Sequence, residues 1–105
     1  MGNMIFGYTP THPGEVLKDE IKDRGISQKI LAESMGIPYK VLNDILNERR
    51  PVTTETAMLF EAALDIPATV LLQLQMKYNY QKAQTNPTLA QRIANIRKIA
   101  ASALW

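Results

Sequence analysis

Prolines at 13, 38, 51, 67 and 87 and glycines at 25 and 36 cut this chain into short segments, and that punctuation limits what it can fold into. A proline is tolerated at the first position of a helix, where its missing N–H would be unpaired anyway, and a glycine ends a helix by turning left-handed. Between these stops the apolar residues recur three and four apart. No segment alternates β-branched and polar residues over the length of a strand. The chain therefore reads as all-α, without internal repeats or low-complexity tracts.

Pro13 opens a first helix, with His12 as its cap, Glu15 in the first turn, Leu17 and Ile21 on the buried stripe and Gly25 as its stop. Ser27 caps a second helix from Gln28 to Met35, which Gly36 ends. Pro38 takes the first position of a third, with Val41, Leu42, Ile45 and Leu46 as its apolar face and Glu48-Arg49-Arg50-Pro51 as a polar exit. Thr53 caps a fourth, with Glu55 in its first turn and Ala57, Met58, Phe60, Ala63 and Leu64 as its apolar set. Pro67 starts a fifth, running through Leu71, Leu74 and Tyr78 to about Gln84. Asn86-Pro87 begins a sixth, in which Leu89, Ile93, Ile96, Ala100 and Ala103 recur 4-3-4-3, a short coiled-coil-like seam. Glu15, Asp19, Glu20 and Asp23 alternate with Lys18 and Lys22, so the outer face of the first helix is expected to be laced with ion pairs.

Composition excludes several classes. The 105 residues fit one domain with an appended terminal element. The absence of cysteine rules out disulfides and thiolate metal sites and fits a reducing cytoplasm. Neither a signal-like start nor a membrane span is expected: the longest uncharged run through the middle, 66–76, falls short of the roughly 18 apolar residues a bilayer requires. There is no paired histidine, phosphate-binding glycine loop or nucleophile elbow, so an enzyme is not expected. Carboxylates on a solvated helix face have no reason for shifted pKa values. His12 stands beside a proline and reads as a helix-start residue, so no metal or cofactor site is expected. The net charge of +2 is unevenly spread: seven basic and ten acidic residues up to Asp65 give −3, and five basic residues with no acid beyond it give +5.

The strongest functional signal is 27–50, two short helices joined by a tight glycine turn, which reads as a helix-turn-helix. Ala32 is small where the helices cross, Gly36 suits the turn, and Leu31, Met35, Leu42 and Ile45 fill the wedge. With that side inward, Tyr39, Lys40, Asn43 and Asp44 face out, where the second helix of such a motif enters the major groove. Asn43 can pair with adenine, Lys40 can donate to guanine, and Tyr39 can meet a thymine methyl or a phosphate. Asp44 repels phosphate, so it accepts from a cytosine amine, braces a neighbour or points away. Gln28, Arg49 and Arg50 are candidate phosphate donors, and Ser27, Pro38 and Asn47 complete the candidate DNA-contacting set.

These residues resemble the phage-repressor/Cro (XRE) class of helix-turn-helix. The likeness extends to Thr11-His12-Pro13-Gly14-Glu15-Val16-Leu17, to 47–51 and 53–58, and to Leu74-Gln75 with Tyr78, which together resemble the HigA/VapI antitoxins over about 11–84. The family commonly has glycine where this chain has Glu48, an aromatic near Leu71 or Leu72, and serine or threonine at Ile66. The resemblance implies a five-helix DNA-binding domain over 1–84 with an N-terminal arm; the 4-3-4-3 pattern adds a C-terminal amphipathic helix over 85–105. It implies a cytoplasmic antitoxin that binds palindromic operator DNA as a homodimer and binds a RelE/HigB-like toxin. Dimer contacts would fall on Leu89, Ile93, Ile96, Ala100 and Leu104. The acid-free tail could lie near flanking DNA or form a dimer helix with a basic outer side; its seam favours the second. A basic tail is also a poor surface for a basic toxin. A stand-alone phage or plasmid repressor, or a helical adaptor that binds protein rather than DNA, are the alternatives.

Overall fold

A computed structural model describes residues 11–103, so the N-terminal arm and the dimer candidate Leu104 lie outside the described residues. The order is α1 (Pro13–Asp23), α2 (Gln28–Met35), α3 (Tyr39–Leu46), α4 (Thr54–Leu64), α5 (Ala68–Gln84) and α6 (Pro87–Ala103), with no strand among the described residues. The all-α expectation therefore stands.

The helix ends follow local chemistry. His12 is extended at the N-cap of α1 and accepts from the Gly14 N–H. Ser27 accepts from the Ile30 N–H at the start of α2, and Gly36 closes that helix at φ 71°. Thr53 and Thr56 form a reciprocal capping box on α4. Asn86 Oδ1 accepts from the Thr88 and Leu89 N–H groups at the start of α6. Two boundaries differ by one residue from expectation. Pro38 and Pro67 are N-caps rather than first helical residues, because their ψ values of 142° and 130° are not helical. Each still lends its carbonyl to the first intrahelical bonds.

Five helices enclose one core. Leu17 and Ile21 of α1 meet Leu31, Ala32 and Met35 of α2 and Leu42, Ile45 and Leu46 of α3, and the layer is closed by Phe60 and Leu64 of α4 and Leu71 of α5. Burying one such side chain is worth about 1.5–3 kcal/mol relative to leaving it in water. The helix-turn-helix is thus fixed on its whole inner side. Gly14 has a specific packing role, since a Cβ there would overlap the Ile45 carbonyl, so α1 reaches α3 only where the chain has no side chain.

Two expectations about faces are corrected. Met58 is 60% exposed and Ala63 is exposed, while Leu59 is half-buried. With Ala57, Phe60 and Leu64 inward, the step of about 100° per residue turns Met58 outward. The face of α1 is also not an alternating ion-pair lattice. Its described pair is Glu20 with Arg24 at 2.7 Å, and Lys18 instead donates to Asn47 Oδ1 across 2.9 Å.

The sixth helix behaves differently. It contains no buried residue, and Ile93, Ile96 and Ile99 are 40%, 59% and 62% exposed. It packs mainly on α5, and the molecule measures 57 × 29 × 22 Å with a radius of gyration of 18.0 Å. A compact chain of this length would have about 13 Å.

Candidate nucleic-acid interface

The inner face of α3 is pinned by Leu42, Ile45 and Leu46, which sets what its other side can present. Tyr39 and Lys40 are exposed at its first turn, and Asn43 is half-buried one turn later. Asp44 is only 8% exposed, although its neighbours on that side face water.

Asp44 is the centre of a polar cluster. Its carboxylate lies 3.4 Å from Lys40 Nζ, 3.3 Å from Arg49 Nε and 3.6 Å from Arg50 Nη2. Partial burial works against its charge, but hydrogen bonds from Lys40 and Arg49 and the positive charge of both side chains outweigh it, holding the carboxyl below its ordinary pKa. The expectation of an unshifted carboxylate is corrected here: Asp44 is braced by cations rather than solvated. Of the three roles foreseen for it, bracing a neighbour is the one the geometry displays. Three cations share one carboxylate, so the cluster keeps a net positive charge.

Arg49 makes a second bond, from Nη2 to Asn43 Oδ1 at 3.1 Å. Asn47 donates to the Asn43 carbonyl and accepts from Lys18, which links the reading helix to α1. Lys18 is not among the sequence candidates, and at a separation of 29 positions from Asn47 no local pattern reveals it. Arg49 reaches back because the chain turns sharply after α3: Glu48 sits at φ 64°, and the Arg49 N–H bonds the Asp44 carbonyl at 2.8 Å. A left-handed residue is the physical reason glycine suits this position.

The structure joins Lys40, Asn43, Asp44, Asn47, Arg49 and Arg50 in one network. Among the described residues Ser27 and Gln28 make no hydrogen bond to it; Ser27 is engaged in capping α2, and Pro38 caps α3 without a side-chain bond. The loop after the network is held by Gln75, a buried glutamine whose Oε1 accepts from the Val52 N–H at 2.8 Å and whose amide donates to Asn79. One turn further along α5, Tyr78 meets His12 edge-on at 4.8 Å, and His12 is 2% exposed. Burial keeps its imidazole below the ordinary histidine pKa, against the pull of the Glu48 carboxylate. Its Nδ1 accepts from Gly14, so its role in the fold is that of a cap.

Comparison with known proteins agrees with this geometry. The helix-turn-helix family profile matches residues 17–71. The chain is 31% identical over 74 residues to virulence-associated protein I of Dichelobacter nodosus, covering 70% of this chain and 68% of that one. Among solved structures it resembles the antitoxin GraA, with a TM-score of 0.75, 30% identity and coverage of 84% of this chain and 94% of that one. It also resembles the Pseudomonas aeruginosa antitoxin HigA solved with the higBA promoter, with a TM-score of 0.73, 29% identity and coverage of 81% and 91%. On these matches and on its own packed motif, the chain belongs to the helix-turn-helix family, in its phage-repressor-like (XRE) class.

Proposed function

We propose that this protein is the antitoxin of a type II toxin–antitoxin system. It binds palindromic operator DNA as a cytoplasmic homodimer, represses its own operon and binds a RelE/HigB-like toxin. The observation that carries the DNA-binding part is the cationic cluster of Lys40, Arg49 and Arg50 around Asp44, set at the exposed side of α3 in a helix-turn-helix. The promoter complex of the related HigA supports placing DNA there. In this reading Tyr39, Lys40 and Asn43 meet base edges with Arg49 beside Asn43, while Arg50, Gln28 and the other candidates hold the backbone. The α6 seam, on which Ile93 and Ile96 are exposed, meets its copy in a second chain, and two reading helices then face half-sites about 34 Å apart.

The test joins a gel shift on the region upstream of the gene with pull-down of the product of the adjacent reading frame. The expected result is a specific shift whose log affinity falls with log salt by roughly 0.9 per phosphate contact, and capture of a small basic protein. No shift at low salt with concentrated protein would refute the DNA role. A shift without a captured partner would leave a repressor that is not an antitoxin.

A further inference from the structure

The hydrogen bond between Arg49 and Asn43 restricts which base Asn43 can read. A guanidinium has donors and no acceptor, so Asn43 must turn its carbonyl oxygen to Arg49, as it does at 3.1 Å. Its amide N–H groups are the end left for a ligand. An asparagine that reads adenine uses both ends, accepting from N6 and donating to N7. Here the accepting end is already engaged, and the group engaging it brings further donors to the same edge. The second lone pair of Asn43 Oδ1 does not restore the adenine pattern, because an N6 amine seated on it would face the Arg49 donors.

The neighbouring charges reinforce this. Arg49 is held in place on its Nε side by Asp44 at 3.3 Å, and Asp44 also holds Lys40, whose side chain is 84% exposed one turn earlier on α3. The groups that this cluster turns outward are thus the Asn43 amide, the spare guanidinium N–H groups and the Lys40 ammonium, all of them donors. In the major groove guanine offers two acceptors, N7 and O6, whereas adenine sets a donor beside its acceptor.

We propose that the Asn43–Arg49 pair reads guanine, with Asp44 as the positioning residue that keeps Arg49 on the asparagine oxygen. This rests on the DNA-reading role of α3 proposed above and specifies the base it selects.

The test is selection of duplexes from a randomised pool by the full chain, compared with Asn43→Ala, Arg49→Ala, Arg49→Lys and Asp44→Asn. Asn43→Ala marks the position that Asn43 reads, as the one where preference collapses. At that position the wild type should favour guanine over adenine by about 5- to 150-fold, the range a bidentate contact gives. Arg49→Ala frees the oxygen and should move the preference to adenine. Arg49→Lys keeps the charge but loses the planar fork, and should move it the same way. Asp44→Asn should weaken the guanine preference in the same direction without abolishing binding to random duplexes. Replacing the selected guanine by 7-deazaguanine, which lacks the N7 acceptor, should weaken the wild type and leave Asn43→Ala unaffected. The Arg49 side chain is 61% exposed, so its variants keep the fold, and a thermal melt checks this. Adenine enriched by the wild type at that position, or a guanine preference unchanged in Arg49→Ala, would overturn the proposal while leaving DNA binding intact. Enrichment of no sequence at all would overturn the DNA reading and the proposal together.

Discussion

The five-helix body and the sixth helix follow opposite rules. In the body, residues spaced three and four apart close over one another: Leu17, Leu42, Ile45, Phe60 and Leu71 are all fully buried. In α6 the same spacing yields no buried residue, and Ile96 and Ile99 remain more than half exposed. Periodicity identifies the helix in both, but it does not say whether the partner of its apolar stripe belongs to the same chain. In the body, α1 to α5 converge on one centre. The seam of α6 projects away from that centre, and its packing is largely limited to the end of α5.

Four perturbations separate the two regions, ordered by their expected effect on the stability of the body. Gly14→Ala sets a methyl against the Ile45 carbonyl, a backbone group that cannot rotate away. It should cost about 3 kcal/mol in urea unfolding, at the upper end of typical overpacking effects. A loss under about 1 kcal/mol would mean that α1 moves easily on α3, and that the body is looser than its packing implies.

Ending the chain at residue 85 removes α6 and tests the other side of the contrast. The unfolding free energy of the monomeric body should change by no more than about 1 kcal/mol, because only partly buried contacts are lost. Self-association and operator affinity should fall together. If the shortened chain unfolds like the intact one and still dimerises fully, the seam is not the dimer contact.

Glu48→Gly acts within the body but in the stabilising direction. The left-handed backbone at φ 64° disfavours a side chain, so glycine should raise stability by about 0.5–1 kcal/mol after its own entropy is counted. A thermal melt that moves down instead would show that Glu48 makes a favourable interaction worth more than this strain.

The smallest effect is on pH dependence. His12 titrates lower in the fold than its ordinary value of 6.5. Between those two values the unfolded chain binds the proton and the folded chain does not, so stability rises with pH across the window. Acidification should therefore begin to weaken the body near pH 6.5 and stop doing so below the folded pKa. His12→Asn retains a capping oxygen without a titrating group and should flatten this part of the profile. An unchanged profile would show that His12 is not its source.

Much of this was legible because it is local. His12, Ser27, Thr53 and Asn86 act on backbone groups two or three residues away, so their spacing alone announces them. The outward side of α3 was legible for a related reason, since fixing Leu42 and Ile45 inward leaves Tyr39, Lys40 and Asn43 outward. What sequence does not disclose depends on a turn or a distant approach. The burial of Asp44 follows from the reversal at Glu48, which brings Arg49 and Arg50 back over α3. Gln75 lies on a helix read by its leucines, yet it is buried because the Val52 N–H comes to it from 23 residues away. Met58 was misplaced because α4 is apolar over most of its circumference, and only the choice of Phe60 as its inward residue fixes the rotation.

The projection of α6 also affects hydrodynamics. Drag on a particle depends on its longest dimension more than on its mass, and here 11.8 kDa is drawn out along 57 Å. A single copy would therefore elute from a sizing column ahead of a sphere of equal weight and imitate a heavier species. Light scattering, which weighs particles irrespective of their outline, distinguishes one copy from two.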